Sequence, residues 1–196
     1  MGSAQGEFKQ NLLRENQGPS VIVSGSSDPL LFNNMISNGL SYGLVVSGSA
    51  KGMAIKNRFE CNQLAQIRIE GHSAPNLQNN FIHKGMSYGL VISDHSHPVV
   101  DTNDFCGNKS SALVLTGQSN ATVFANSCQE NGKHGAEILQ QARGKVRGNS
   151  FVRCMAESVV VSGEAAPSIE SNLILYGLHD GLLIRCPCSR PCAHFP

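Results

Sequence analysis

Four possible zinc ligands lie close together near the end of the sequence: Cys186, Cys188, Cys192 and His194. Thiolates and imidazoles form structural zinc sites, usually with two to four residues between paired cysteines. Here the spacing is C-x-C-x3-C-x-H, and two prolines crowd it. We therefore predict a disordered Cys/Pro-rich tail over residues 186–196, with a zinc site as the alternative.

A second group of ionisable residues lies near the middle of the chain. His72 and His95 are 23 residues apart, and Asp94 and His97 are near in sequence. Two imidazoles and a carboxylate have the chemistry to hold a metal ion or to titrate near neutral pH. The same residue types are also ordinary members of polar turns, which is the interpretation favoured here. No metal and no cofactor is predicted.

Carboxylates suited to polysaccharide chemistry are scarce. Glycoside hydrolases generally need two carboxylates that flank one bond, and Asp101 and Asp104 form the only close acidic pair on a strand segment. A lyase would want several acidic calcium ligands and a basic residue on one face, and only Arg58 and Arg68 are near. The sequence has no Trp and three Tyr for sugar stacking. These features predict a protein that is not an enzyme, with no catalytic residues.

The other cysteines do not form a disulfide pattern. Cys61, Cys106, Cys128 and Cys154 occupy four different positions of the repeat described below, and only the pair 106 and 128 has a spacing at which the two could approach. Because disulfide geometry is demanding, reduced thiols in a cytoplasmic or nuclear protein are the prediction.

A strict repeat organises all of these residues. One asparagine recurs every 23 residues without insertion or deletion: Asn11, Asn34, Asn57, Asn80, Asn103, Asn126, Asn149, Asn172. A fixed period in this range indicates stacked supersecondary units. Stacked amides can each donate to the carbonyl of the next, so this column is predicted to be a structural ladder without chemistry of its own.

Apolar residues recur at four positions of each repeat, three before the asparagine and two, ten and twelve after it. In the repeat of Asn80 they are Leu77, Ile82, Leu90 and Ile92. The last two alternate with an outward position, which is typical of a β-strand. Such short strands bury their apolar faces only when like columns superimpose. The sequence predicts an all-β, right-handed parallel β-helix of about seven to eight coils over residues 1–185, its first coil incomplete.

The eleventh position after each asparagine is predicted to face solvent. It is occupied by Val45, Arg68, Val91 and Val114 in four consecutive coils. Apolar residues that are contiguous on a surface often mark an interface. We therefore predict that these four residues form a binding stripe.

Composition limits the other partners. The 196 residues are 40% hydrophobic and 15% charged with a net charge of +1, and no basic stripe with interleaved aromatics is evident. No run of 18 apolar residues occurs, so neither nucleic acid nor a membrane is predicted as a partner. Because neither end carries a recognisable cap, self-association through the coil ends is expected.

Several motifs carry a family resemblance. Ser-x-Pro triplets at 27–29, 73–75 and 96–98 close turns, and the stretch 79–85 with 88–92 follows an Asn-x-Ile-His-x-Gly…Gly-Ile-x-Ile rhythm. Over residues 2–185 the chain resembles the parallel β-helix (CASH-type) repeats of F-box-only ubiquitin-ligase subunits and of Shc-binding proteins. The resemblance implies a protein-interaction module that binds ubiquitination substrates. It implies no ligase recruitment, since no F-box segment is present. A carbohydrate-active or carbohydrate-binding β-helix is the alternative.

Overall fold

The computed structural model describes residues 3–186, and in that range the chain forms 24 short strands and no helix. In chain order the strands are β1 (Gln5–Lys9), β2 (Leu12–Arg14), β3 (Val21–Val23), β4 (Asp28–Phe32), β5 (Met35–Ser37), β6 (Leu44–Val46), β7 (Met53–Ile55), β8 (Arg58–Glu60), β9 (Ile67–Ile69), β10 (Asn76–Gln78), β11 (Phe81–His83), β12 (Leu90–Ile92), β13 (Val99–Asp101), β14 (Asp104–Cys106), β15 (Leu113–Leu115), β16 (Asn120–Phe124), β17 (Ser127–Gln129), β18 (Ala136–Ile138), β19 (Arg143–Arg147), β20 (Ser150–Val152), β21 (Val159–Ser162), β22 (Ala166–Glu170), β23 (Leu173–Leu175) and β24 (Leu182–Arg185).

Every third strand belongs to the same sheet, so three eight-stranded parallel sheets run the length of the molecule. The first sheet has the order β1-β4-β7-β10-β13-β16-β19-β22, the second β2-β5-β8-β11-β14-β17-β20-β23, and the third β3-β6-β9-β12-β15-β18-β21-β24. Paired residues are 23 apart, as in Leu90 with Leu113. The predicted right-handed parallel β-helix with a 23-residue repeat is confirmed, with about eight coils.

The core is the stack of inward side chains of all three sheets. In the second sheet large rings alternate with smaller groups: Ile36, Phe59, Ile82, Phe105, Cys128 and Phe151 succeed one another, all fully buried. Each phenylalanine lies against a glycine. A Cβ at Gly43 would be 3.0 Å from the Phe59 ring, and one at Gly89 would be 2.9 Å from the Phe105 ring. The interior therefore repeats every two coils, or 46 residues.

Each coil has three corners, and at each corner a residue in the left-handed backbone conformation redirects the chain from one sheet to the next. Glycine serves at most of the corners between the third and first sheets, as at Gly71 (φ 73°). At the other two corners non-glycine residues adopt the same conformation, for example Lys56 (φ 55°) and Lys84 (φ 51°).

The asparagine column forms a continuous ladder at the corner between the first and second sheets. Each side-chain amide donates to the Oδ1 of the asparagine in the next coil, at 2.9–3.1 Å from Asn11 through to Asn172. Each amide from Asn34 onward also donates to a backbone carbonyl, as Asn103 does to Leu77 at 3.0 Å. The ladder thus satisfies polar groups that the tight corner buries.

The interior columns become exposed in the outermost described coils. Leu182 and Ile184 are 44% and 70% exposed, although their counterparts Leu90 and Ile92 are fully buried. At the other end Phe8 is 38% exposed. Within residues 3–186, no helix of membrane-spanning length and apolarity occurs.

We expect the 196-residue chain to self-associate as its concentration rises, because exposed interior positions and unpaired strand edges favour end-to-end contact. Light scattering across a concentration series measures the mass. The variant Ile184→Lys places a charge on the open end and is expected to reduce association. A single monomeric species at high concentration would contradict the expectation.

Candidate binding surface

The outer face of the third sheet carries the predicted stripe. Val45, Arg68 and Val91 are the central residues of β6, β9 and β12 and are adjacent in register. All three are half-buried. With a coil rise of about 4.8 Å they span about 10 Å along the axis. The structure thus places an arginine between two aliphatic side chains on an accessible face.

The Arg68 side chain is held from two sides. Its Nε donates to a Glu70 carboxylate oxygen at 2.6 Å, and its Nη1 donates to the Tyr42 hydroxyl at 3.0 Å. The guanidinium carbon lies 5.5 Å from the centre of the Tyr42 ring. Burial lowers the pKa of Arg68, but the bonds to Glu70 and Tyr42 outweigh it and leave the pKa raised. Arg68 is therefore a fixed cation, with a side chain still 38% exposed.

Two tyrosines extend this surface beyond the predicted residues. Tyr42 and Tyr88 occupy the same position two coils apart, three residues before Val45 and Val91, and both are half-buried. The repeated sequence Ser-Tyr-Gly-Leu-Val at 41–45 and 87–91 was the signal that could have placed them here. We call Tyr42, Val45, Arg68, Tyr88 and Val91 the third-sheet surface.

The prediction that Val114 belongs to the exposed stripe is wrong, because Val114 is only 7% exposed. Its neighbour in the next coil is Glu137, whose carboxylate accepts a short hydrogen bond from Ser111 in the coil of Val114. Glu137 also pairs with Lys133 at 3.3 Å. Glu137 and Val160, the next two residues of this column, are also buried, at 8% and 2% exposed, so the accessible stripe ends at Val91.

The histidine group forms a stack on the corner between the third and first sheets. The rings of His72 and His95 lie 4.9 Å apart and nearly parallel, with a 20° angle between them. Asp94 instead accepts the backbone N–H of Gly71 at 2.9 Å, and His97 Nδ1 lies 3.3 Å from the His95 carbonyl oxygen. Within residues 3–186 no three acidic, histidine or cysteine side chains are grouped to hold a metal ion.

The carboxylates considered for catalysis face different surroundings. Asp101 ends β13 in the first sheet and accepts the Thr102 hydroxyl at 2.8 Å. Asp104 begins β14 in the second sheet and lies 3.0 Å from His83 Nε2. The two line separate grooves. Arg58 lies on the second sheet, paired with Glu60 at 2.6 Å, and is thus on a different sheet from Arg68.

The cysteines of the coils are free. Cys128 and Cys154 are buried, while Cys61 and Cys106 are half-buried. Burial raises the pKa of the Cys128 thiol well above its ordinary value, and burial also raises the pKa values of Cys106 and Cys154. Burial thus disfavours the thiolate forms of Cys106, Cys128 and Cys154. Of the predicted tail, only Cys186 is within the described residues; Cys188, Cys192 and His194 lie outside them.

Known proteins share this architecture. The structure is similar to that of the Streptococcus pneumoniae surface protein and adhesin PfbA, with a TM-score of 0.57 and 9% sequence identity. The match covers 91% of this chain and 66% of that one, so the chain spans just under two thirds of that structure's length. No curated protein sequence matches the chain. A family model described as the right handed beta helix region matches residues 19–174, and the chain therefore belongs to the right-handed β-helix family.

Proposed function

We propose that this chain is a protein-interaction module that binds its partner through the third-sheet surface. The observation that carries the proposal is Arg68, an accessible arginine fixed by Glu70 and Tyr42 between two aliphatic residues. Arginine and tyrosine are enriched among the residues that dominate binding energy at protein interfaces.

The fixed side chain supports a binding role in a specific way. Ordering a long side chain at an interface costs about 0.5–1.5 kcal/mol, and Arg68 is ordered before a partner arrives. Guanidinium has five N–H donors, and Arg68 uses two of them on Glu70 and Tyr42. The remaining donors suit a carboxylate or carbonyl group of the partner, and Val45 and Val91 supply apolar contact on either side.

Two similarities, one of structure and one of sequence motifs, suggest the kind of partner. The similar solved structure is that of a surface protein and adhesin, so β-helices of this shape include a binding protein. The motif resemblance to F-box-only subunits and Shc-binding proteins motivates a finer proposal, in which the partner is a protein destined for ubiquitination. That finer proposal depends on the motif residues alone.

Charge reversal at Arg68, or Val91→Asp, is expected to weaken capture of the partner about tenfold or more, because each change places an unmatched charge in a desolvated contact. Affinity capture with the full chain, followed by identification and a binding titration with the identified protein, measures the effect. Circular dichroism is expected to be unchanged.

Lys109→Glu is the matched control, since Lys109 is exposed and lies in a different part of the coil. Equal weakening by this control, or full binding by both test variants, would contradict the proposal. Cleavage of pectin or alginate that disappears in Asp101→Asn would instead establish the carbohydrate-active alternative.

A further inference from the structure

Strand β19 presents three cations on the outer face of the first sheet. Its sequence alternates Arg143, Lys145 and Arg147, all exposed, with Gly144 and the buried Val146. Successive outward side chains on a strand are about 6.6 Å apart, so the three charges span about 13 Å across the coil axis. We call these three residues the basic stripe.

The basic stripe is not neutralised by its neighbours. Arg58, Arg68, Lys133 and Arg153 each pair with a glutamate in this structure. Within residues 3–186, by contrast, none of the three stripe cations has a carboxylate oxygen within 4.0 Å. The residues beside Lys145 in register are Thr122 and Ser168, and Asn120 lies beside Arg143. Neutral hydrogen-bonding groups therefore border Lys145 on both sides and Arg143 on one.

One end of the stripe has a defined shape. A groove of about 420 Å³ is lined there by Thr122, Phe124, Lys145 and Arg147, with Asp101 and Glu170 also among its lining residues. The Arg147 guanidinium lies over the Phe124 ring, 5.1 Å from its centre. Glu170 is beside Arg147 in register, yet its carboxylate accepts a short hydrogen bond from the Ser168 hydroxyl. Neither Arg147 nor Lys145 is thus within 4.0 Å of the carboxylates of Glu170 or Asp101, and both cations of the groove stay unpaired within residues 3–186.

We propose that the basic stripe binds an acidic peptide segment in an extended conformation. An extended peptide repeats its side chains on one face every two residues, the same period that spaces the stripe cations. Carboxylates at alternate positions would then each meet one cation, with Thr122, Ser168 and Asn120 as flanking hydrogen-bond partners.

Other polyanions fit the stripe less well. Single-stranded nucleic acid binds on aromatic platforms as well as on charge. Among the residues that line this groove the aromatic one is Phe124, and Arg147 covers its ring. The same cover removes a stacking face for a sugar ring. The feature that favours an extended peptide is the spacing of the three cations, which occupy every second residue of a strand.

The test is a binding titration by fluorescence anisotropy with the full chain. The probe is a labelled decapeptide of alternating Glu and Ser, compared with a peptide of the same composition whose glutamates form one block, and with a Gln-for-Glu peptide. At low salt the alternating peptide is expected to bind most tightly, and its affinity is expected to fall as salt is added. Lys145→Glu is expected to weaken binding about tenfold, and Lys109→Glu is expected to leave it unchanged.

Several results would overturn the proposal. One is that the alternating peptide does not bind at low salt, and another is that the alternating and block peptides bind with equal affinity. A third is that Lys109→Glu lowers the affinity as much as Lys145→Glu does. Tighter binding of oligogalacturonate or of oligothymidylate through the same residues would assign the stripe to a sugar or nucleic acid polymer and would also overturn it. If Lys145→Glu has the same circular dichroism spectrum as the wild-type protein, the variant is folded, and its lower affinity reports the loss of a binding contact.

Discussion

Replacing Phe105 by Ala is expected to lower the free energy of unfolding by about 3–5 kcal/mol. Phe105 is fully buried in β14, between Ile82 and Cys128 of the adjacent coils, and its ring lies against Gly89. Because glycine has no side chain to move into the space, and the parallel strands on both sides are fixed by their hydrogen bonds, the cavity cannot collapse.

Urea denaturation followed by circular dichroism measures this effect. Gln118→Ala is the control. Gln118 is exposed, and its side-chain amide donates a hydrogen bond to Gln141, which is also exposed. A surface change of this kind usually alters stability by no more than about 0.5 kcal/mol. A Phe105→Ala protein as stable as Gln118→Ala would show that the Phe105 side chain is not part of the core.

Replacing Asn103 by Asp is expected to destabilise the protein by more than about 3 kcal/mol at neutral pH, since one carboxylate oxygen keeps the Asn80 donors but the other replaces a buried N–H donor and faces only acceptors. The Asn103 amide donates to the Leu77 carbonyl and to Asn126 Oδ1, both at 3.0 Å. A carboxylate in its place can donate to neither and puts negative charge against two acceptor oxygens.

The destabilisation in the Asn103→Asp variant is expected to depend on pH. Burial among acceptors would raise the pKa of the introduced carboxyl in the folded state above its unfolded value of about 3.9. An acid with a raised folded pKa favours folding in its protonated form, so the penalty is smallest below about pH 4 and grows as pH rises through the folded pKa. Asn120→Asp, at an exposed position of β16, is the control. Equal stability of the two variants at pH 7 would contradict a structural role for the ladder.

Much of the architecture is predictable because the repeat is strict. Leu77, Ile82, Leu90 and Ile92 recur at fixed positions, and that regularity determines which faces are buried and how the strands stack. The corners are less predictable, since residues such as Lys56 adopt the left-handed conformation without being glycine. There the register of the flanking strands decides the backbone, and no local sequence preference reveals it.

The surfaces are harder to predict than the core. Val45 and Val114 occupy the same position of the repeat, but Val45 is half-buried, whereas Val114 and its neighbours Glu137 and Val160 are buried. The column pattern does not show this difference. Tyr42 meets Arg68 across 26 residues of chain, a contact that follows from side-chain direction and not from the column pattern. The basic stripe is likewise hidden in a net charge of +1, and although its three residues alternate in one short segment, the structure is needed to show that all three are exposed and, in the described part of the chain, unpaired.

Oxidative footprinting of the complex with the captured partner tests the proposed binding surface most directly. Hydroxyl radicals modify accessible aromatic side chains, and mass spectrometry reports each one in the free and bound protein. Binding through the third-sheet surface predicts that Tyr42 and Tyr88 become protected, while Phe81 on the second sheet and Phe124 on the first remain as reactive as in the free chain. Unchanged reactivity of both tyrosines, with protection at Phe81 or Phe124 instead, would contradict it.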